Sequence, residues 1–170
     1  MLYSTSFRTT VTTANNACFE ITTPSNQGCR IMEIGITNAA ATAATISLGH
    51  PSTASATSTL LANGLTGAGF WPEQEAGLTG VISGQTGLAY AMTNVAKTSI
   101  SLAATTPAVC STTVSPVFRR ASVAGTVGAG VVWTFPKGLQ MSPGCTGLSA
   151  ICGFVQTGAT TFDGYAIVDE

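Results

Sequence analysis

The side chains able to do chemistry are few and scattered. The chain has one histidine, His50, so a Ser-His-Asp arrangement would have to be built on it. His50 precedes Pro51 at the end of an apparent strand, a position that suits an exposed or capping side chain better than a general base. Carboxylate pairs of the glycosidase kind would come from Glu73 and Glu75, whose i,i+2 spacing puts both on one face of an extended segment. Asp163, Asp169 and Glu170 are the other candidates, and the last two end the chain, where acids are usually solvated. No nucleophile elbow, phosphate-binding loop or zinc-binding helix is written in the sequence. The expectation is a protein that is not an enzyme.

The five cysteines are Cys18, Cys29, Cys110, Cys145 and Cys152. Their spacing contains no Cys-x-x-Cys pair, and a zinc site would have to draw on the lone His50. Neighbours such as Phe19 and Ile151 are apolar, so the thiols read as small buried hydrophobes, with no metal or cofactor. The bases Arg8, Arg30, Lys97, Arg119, Arg120 and Lys137 form one adjacent pair and no run, which argues against nucleic-acid binding.

Charge is the unusual quantity. Six basic and seven acidic residues in 170 make 8% of the chain, against about a quarter in an ordinary soluble domain. The net charge is −1, and no Asp, Glu, Lys or Arg occurs between Glu33 and Glu73. A lone monomer relies on charge to resist association, so this composition points to an assembly subunit. The neutral span from Ile34 to Trp71 should then line an interface, with the few charges at its rim. The least charged windows, such as 78–96, are broken by glycine and hydroxyl residues and do not form a membrane span. The polar residues and Arg8 at the start do not read as a signal peptide.

The elements that must position these groups are strands. Short apolar or alternating runs recur between clusters of Gly, Pro, Ser, Asn and Thr. They predict strands near 4–13, 17–21, 30–38, 45–49, 88–93, 98–102, 117–123, 130–135, 148–156 and 165–168. In the third, Ile31, Glu33 and Gly35 fall on one face and Met32, Ile34 and Ile36 on the other. Residues 148–156 read as a strand buried on both faces. In the run Val131-Val132-Trp133-Thr134-Phe135, alternation puts Val131, Trp133 and Phe135 into the core, and the strand should stop at Pro136 and turn at Gly138. Too few charges remain to give a long amphipathic helix its wet face. Ten or so short strands in a single 1–170 domain mean an all-β sandwich or barrel with a long inserted loop at 51–87. That loop contains Phe70-Trp71-Pro72-Glu73-Gln74-Glu75, and loops of this length are usually functional. Arg119 and Arg120 are neighbours on a strand and point to opposite faces unless the strand is an edge or bulged. The candidate interface residues are therefore Trp71, Glu73, Glu75, Arg119 and Arg120.

Several patches together carry a resemblance. They are Glu33-Ile34-Gly35-Ile36-Thr37, Leu48-Gly49-His50-Pro51 and Phe118-Arg119-Arg120. The others are the run from Gly128 to Leu139 containing Trp133-Thr134-Phe135-Pro136-Lys137-Gly138, the turn Ser142-Pro143-Gly144, and the closing Tyr165-Ala166-Ile167-Val168-Asp169-Glu170. As a set, this resembles small virion structural proteins of tailed bacteriophages. Residues 51–87 carry none of the likeness. The resemblance implies a jelly-roll-like antiparallel β-sandwich that decorates or cements a capsid, often as a homotrimer. Its partners would be the major capsid protein and copies of itself, and its place the capsid surface of a virion assembled in the host cytoplasm. At about 25 cal/mol per Å2 of apolar surface, a large and weakly charged interface would hold firmly and resist salt. The competing expectation is a tail- or fibre-associated module that binds glycan through Trp71 or Tyr90.

Overall fold

The computed structural model describes residues 2–55, 57–60, 71–72, 98–106, 108–110, 116–158 and 160–170, without the side chains of 57–60, 71–72, 99, 101 and 103–106. Eleven strands are present among them: β1 Leu2–Val11, β2 Ala17–Thr22, β3 Cys29–Asn38, β4 Ala44–Gly49, β5 Thr57–Leu60 and β6 Trp71–Pro72. They continue with β7 Ser99–Thr106, β8 Val117–Val123, β9 Gly130–Met141, β10 Ile151–Thr157 and β11 Thr160–Asp169. The helical content of the described residues is one 3-10 turn, Gly147–Ser149.

The pairing is nested. β1 pairs with β11, β2 with β10, β3 with β9 and β4 with β8, all antiparallel. The chain thus folds back on itself as one long hairpin, rolled so that successive strands alternate between two sheets. This is a jelly roll, an antiparallel β-sandwich of eight core strands. One sheet has the order β6-β1-β11-β3-β9 and the other β5-β7-β2-β10-β4-β8. The connection between β4 and β8 forms the tip of the hairpin. It is longer than the expected 51–87 loop and contributes β5, β6 and β7 to the sheet margins. The expected strand at 88–93 lies outside the described residues.

Alternation fills the space between the sheets. Phe7, Val11, Ile31, Ile34, Ile36, Trp133, Phe135, Phe162 and Val168 come from one sheet, and Phe19, Ile21, Ile46, Leu48, Ile100, Ile151 and Val155 from the other. Trp133 and Phe135 are buried as their spacing requires. The face assignment on β3 is corrected by a bulge. Opposite β11, Val168 pairs with Ile31 and Ile167 with Glu33, so Met32 is an extra residue. That extra residue brings Ile31 to the same side as Ile34 and Ile36, and all three are fully buried.

β9 also departs from its sequence reading. It does not stop at Pro136 but continues to Met141. Thr134 pairs with Glu33 and Leu139 with Ile31, so residues 135–138 bulge out opposite Met32. Gly138 has φ +70°, and a Cβ there would lie 2.7 Å from Arg30 Cβ, so glycine takes the bend in the bulge. Pro136 is tolerated because β9 is an edge strand.

The second sheet is buried on both sides near β10. Ile151 and Val155 face the main core, whereas Cys152 and Phe154 join Ala17, Ala108, Cys110 and Ala150 in a second apolar cluster on the outside. That cluster is roofed by residues 108–110 and 52–53, which the bridges Asn16–Val109 and Thr53–Val109 tie down. The run 151–155 is therefore buried throughout, while Leu148, expected to open this strand, sits exposed on the 3-10 turn.

Candidate functional site

The two sheets end differently on their two sides. On one flank they end in the short strands β5 and β6, and on the other in β8 and β9, seven and twelve residues long. β8 and β9 lie against each other without joining into one sheet. The seam between them is held at one end by Asn38. Its buried side-chain amide donates to the carbonyls of Thr42 (2.9 Å) and Ala124 (2.8 Å), while Gly128 N–H donates to Asn38 O. One residue thus fixes both the 39–43 and the 124–129 connections.

β8 carries the two arginines, and it is both an edge and bulged. Leu48 pairs with Arg119 but Gly49 pairs with Val117, which leaves Phe118 as the extra residue. A Cβ on Gly49 would run into Pro116 O, so the strands close at that point only on glycine. Arg119 shares the inward face with its partner Leu48 and leaves by the open seam. Its guanidinium lies 5.6 Å from the centre of the Phe135 ring, and Nη1 donates to Phe118 O. Arg120 points to the outer face and donates from Nε to Ser47 Oγ at 3.2 Å. Neither guanidinium meets a carboxylate among the described residues, and both side chains are exposed.

Lys137, exposed in the β9 bulge, and Arg30, whose Nε donates to Gln140 on β9, add two more cations on this side. Two acids among the described residues lie nearby: Asp169 on β11 sits directly opposite Arg30, and Glu33 on β3 has its carboxylate already engaged. Tyr165 donates its hydroxyl to it at 2.6 Å and Thr134 at 3.1 Å. That bond to the carboxylate raises the Tyr165 phenol above its ordinary pKa. The Tyr165 ring lies across Gly35, where a Cβ would fall 2.1 Å from a ring carbon. With Arg30 facing Asp169 and Glu33 already bonded, Arg119, Arg120 and Lys137 leave the β8/β9 flank electropositive among the described residues. Arg8, on the same sheet, differs from them: it binds Asp163 through Nε (2.6 Å) and Nη2 (2.7 Å), holding that carboxyl below its usual pKa.

Trp71 is not part of this flank. Its backbone pairs with Ser4 at the far margin of the same sheet, four strand spacings from β9 or about 19 Å. Glu73, Glu75 and Tyr90 lie outside the described residues. The five candidate interface residues therefore do not form one patch; Arg119 and Arg120 share one flank and Trp71 sits on the other.

The remaining titratable groups have structural surroundings. His50 Nδ1 is 2.9 Å from Ala150 O, and its ring stands edge-on to Phe118. Cys18, Cys29, Cys110 and Cys152 are buried free thiols and Cys145 is partly buried. Desolvation pushes Cys18 up to about 12 and Cys29 to about 11, which keeps both protonated and unreactive at neutral pH. Among the described residues no group of three or more His, Cys, Asp or Glu side chains is placed to hold a metal ion. An open groove of about 460 Å3 is lined by Thr10, Val11, Thr12, Ala40, Thr42, Thr160 and Thr161, which offer hydroxyls and methyls but no acid or base. Glu170 was expected to be solvated; instead it accepts from the Thr98 backbone N–H and from Gln27, tying the chain end to the start of β7. No family model matches the chain, and neither curated proteins nor solved structures show similarity to it.

Sequence reasoning reached the arginine pair but missed the strand edge beside it. The signal was available in part: Gly130-Val131-Val132-Trp133-Thr134-Phe135 is uncharged, whereas the residues just after it include Pro136 and Lys137. What the sequence does not state is which strands lie at the margins.

Proposed function

We propose that this chain is a non-catalytic virion structural protein that decorates or cements a phage capsid, binding between major capsid protein subunits as a homotrimer. The observation that carries this reading is the β8/β9 flank, where two long strand edges lie side by side with exposed Arg119, Arg120, Val127, Val132 and Lys137. Natural edge strands are ordinarily short or covered, and an exposed one of this length is a surface built to be paired. The sequence patches that resemble phage virion proteins supply the setting, and the surroundings of His50 and the thiols favour a role without catalysis.

The charge-free span is less available as an interface than its composition suggests. Ile34, Ile36, Ile46 and Leu48 are fully buried in the protein's own core, and residues 52–53 roof its own sheet. Much of that neutrality is therefore intramolecular, which favours the flank, with the cations at its rim, as the docking surface. Electron microscopy of the parent particle tests the proposal. The chain should be found on the shell between capsid subunits, with the β8/β9 flank at the contact, and the double variant R119E/R120E should lower its occupancy. A position on tail fibres would overturn the reading.

A further inference from the structure

The β8/β9 flank has a specific chemistry, and its occupant follows from the direction of its backbone groups. Along β3 those groups alternate: Asn38 N–H donates to Ala129 O beside β9, and Ala39 N–H donates to Thr161 O beside β11. By the same alternation Ile36 and Ile34 bond toward β9, to their partners Val131 and Trp133. Gly130, Val132 and Thr134 must then turn their N–H and C=O groups outward. The outward stretch is straight and uncharged, and it has exposed Val132 at its centre. Guarding devices appear only beyond it, as Pro136, Lys137 and the bulge.

We infer that the Gly130–Phe135 edge accepts an extended, acidic segment of another protein as an added strand. The inference rests on the flank being the docking surface proposed above, and it adds the chemistry of the partner. A strand is required because the edge presents donors and acceptors in alternation, which an extended polypeptide matches and a phosphodiester, lacking the donors, does not. Acidic character is required because Arg119, Arg120 and Lys137 lie beside the edge, while Arg30 already faces Asp169 and Glu33 is already bonded. A second copy of this chain is disfavoured by the same charges. Pairing β9 with its own two-fold mate would set six such cations around one seam, and like charges facing each other across an interface are repulsive.

The experiment uses a capped nine-residue peptide alternating valine or threonine with glutamate, and a second peptide with lysine in place of glutamate. Binding is read by fluorescence anisotropy and by the amide resonances of Val132 and Thr134. The glutamate peptide should bind and protect those two amides from exchange, and the lysine peptide should bind at least about tenfold more weakly. Val132→Pro removes an outward N–H but no bond to β3, so it should abolish peptide binding while the fold persists. If that variant fails to fold, the triple variant R119E/R120E/K137E is read instead, and it should invert the preference to the lysine peptide. Equal binding of both peptides, or none by either, would overturn the inference. So would a concentration-dependent dimer with the β9 edge protected. If the peptides fail while R119E/R120E still releases the chain from particles, the flank stands as the docking surface and only the acidic strand is refuted.

Discussion

The two flanks of this sandwich solve the same problem in opposite ways. Each sheet has two margins, and at each margin a row of backbone groups is left without a partner. On the β5/β6 side the chain supplies its own closure. The connection between β4 and β8 returns to the sheets and adds β5 and β7 to one of them and β6 to the other, in strands of four, eight and two residues. On the β8/β9 side nothing among the described residues covers the margin, although the strands are long. The connection between Gly49 and Val117 thus gives three strands to one flank and, among the described residues, none to the other. An edge that no described residue covers, with cations beside it, is the observation that supports the proposed docking at this side of the molecule.

The largest effect expected from a single change falls between the two flanks, in the second cluster over β10. Phe154 is fully buried in the second cluster, beneath residues 108–110. Phe154→Ala should cost about 3–5 kcal/mol, a fall in Tm of roughly 10 °C by calorimetry. Hydrogen exchange should speed up in β10 and at 108–110 before it does in β9, which does not touch the cluster. If β9 loosens together with them, the second cluster is not a separate unit of stability.

Next in size is the open side. Asn38→Ala removes both bonds that pin the 39–43 and 124–129 connections and leaves the Thr42 and Ala124 carbonyls without that partner. A loss of about 1–3 kcal/mol in urea unfolding is expected, with faster exchange confined to the β8/β9 end.

Glu20 gives a smaller effect of the opposite sign. It lies on β2, directly opposite Cys152, and burial raises its carboxyl above the ordinary pKa. A raised carboxyl pKa means that folding favours the protonated form, so stability is greatest below the unfolded pKa and declines as pH rises through the folded one. Glu20→Gln should therefore stabilise at pH 7, by under about 1 kcal/mol, and the gain should vanish at pH 3. The smallest effect belongs to the exposed Arg8–Asp163 pair. The Asp163 carboxyl is held low, so its contribution is present above the unfolded pKa and fades as pH falls through the folded value. Arg8→Ala should leave Tm at pH 7 nearly unchanged and flatten the acid limb slightly.

Much of the fold was legible because alternation and turn residues survive without tertiary information. Trp133 and Phe135 face inward as their spacing demands, and Val117–Val123 is a strand over the expected range. The continuous apolar run Ile151–Val155 announced a strand covered on both faces, and the second cluster supplies the second cover. The misreadings all come from pairing. The Met32 bulge reverses the face of Ile31, and the bulge in β9 turns the expected stop at Pro136 into a bend within one strand. Neither is visible without knowing the partner strand. The site was half legible for the same reason. Arg119 and Arg120 stand out by type, but the flank is created by strand order, which only the nested hairpin sets.

The most direct test of the central claim is residue-resolved amide exchange at Val132 and Thr134, measured first on the isolated chain and then on the assembled particle. Both amides should exchange quickly in the isolated chain while Val131 and Trp133 stay protected, and all four should be protected after docking. Protection of Val132 and Thr134 in the isolated chain, or free exchange after docking, would contradict the account.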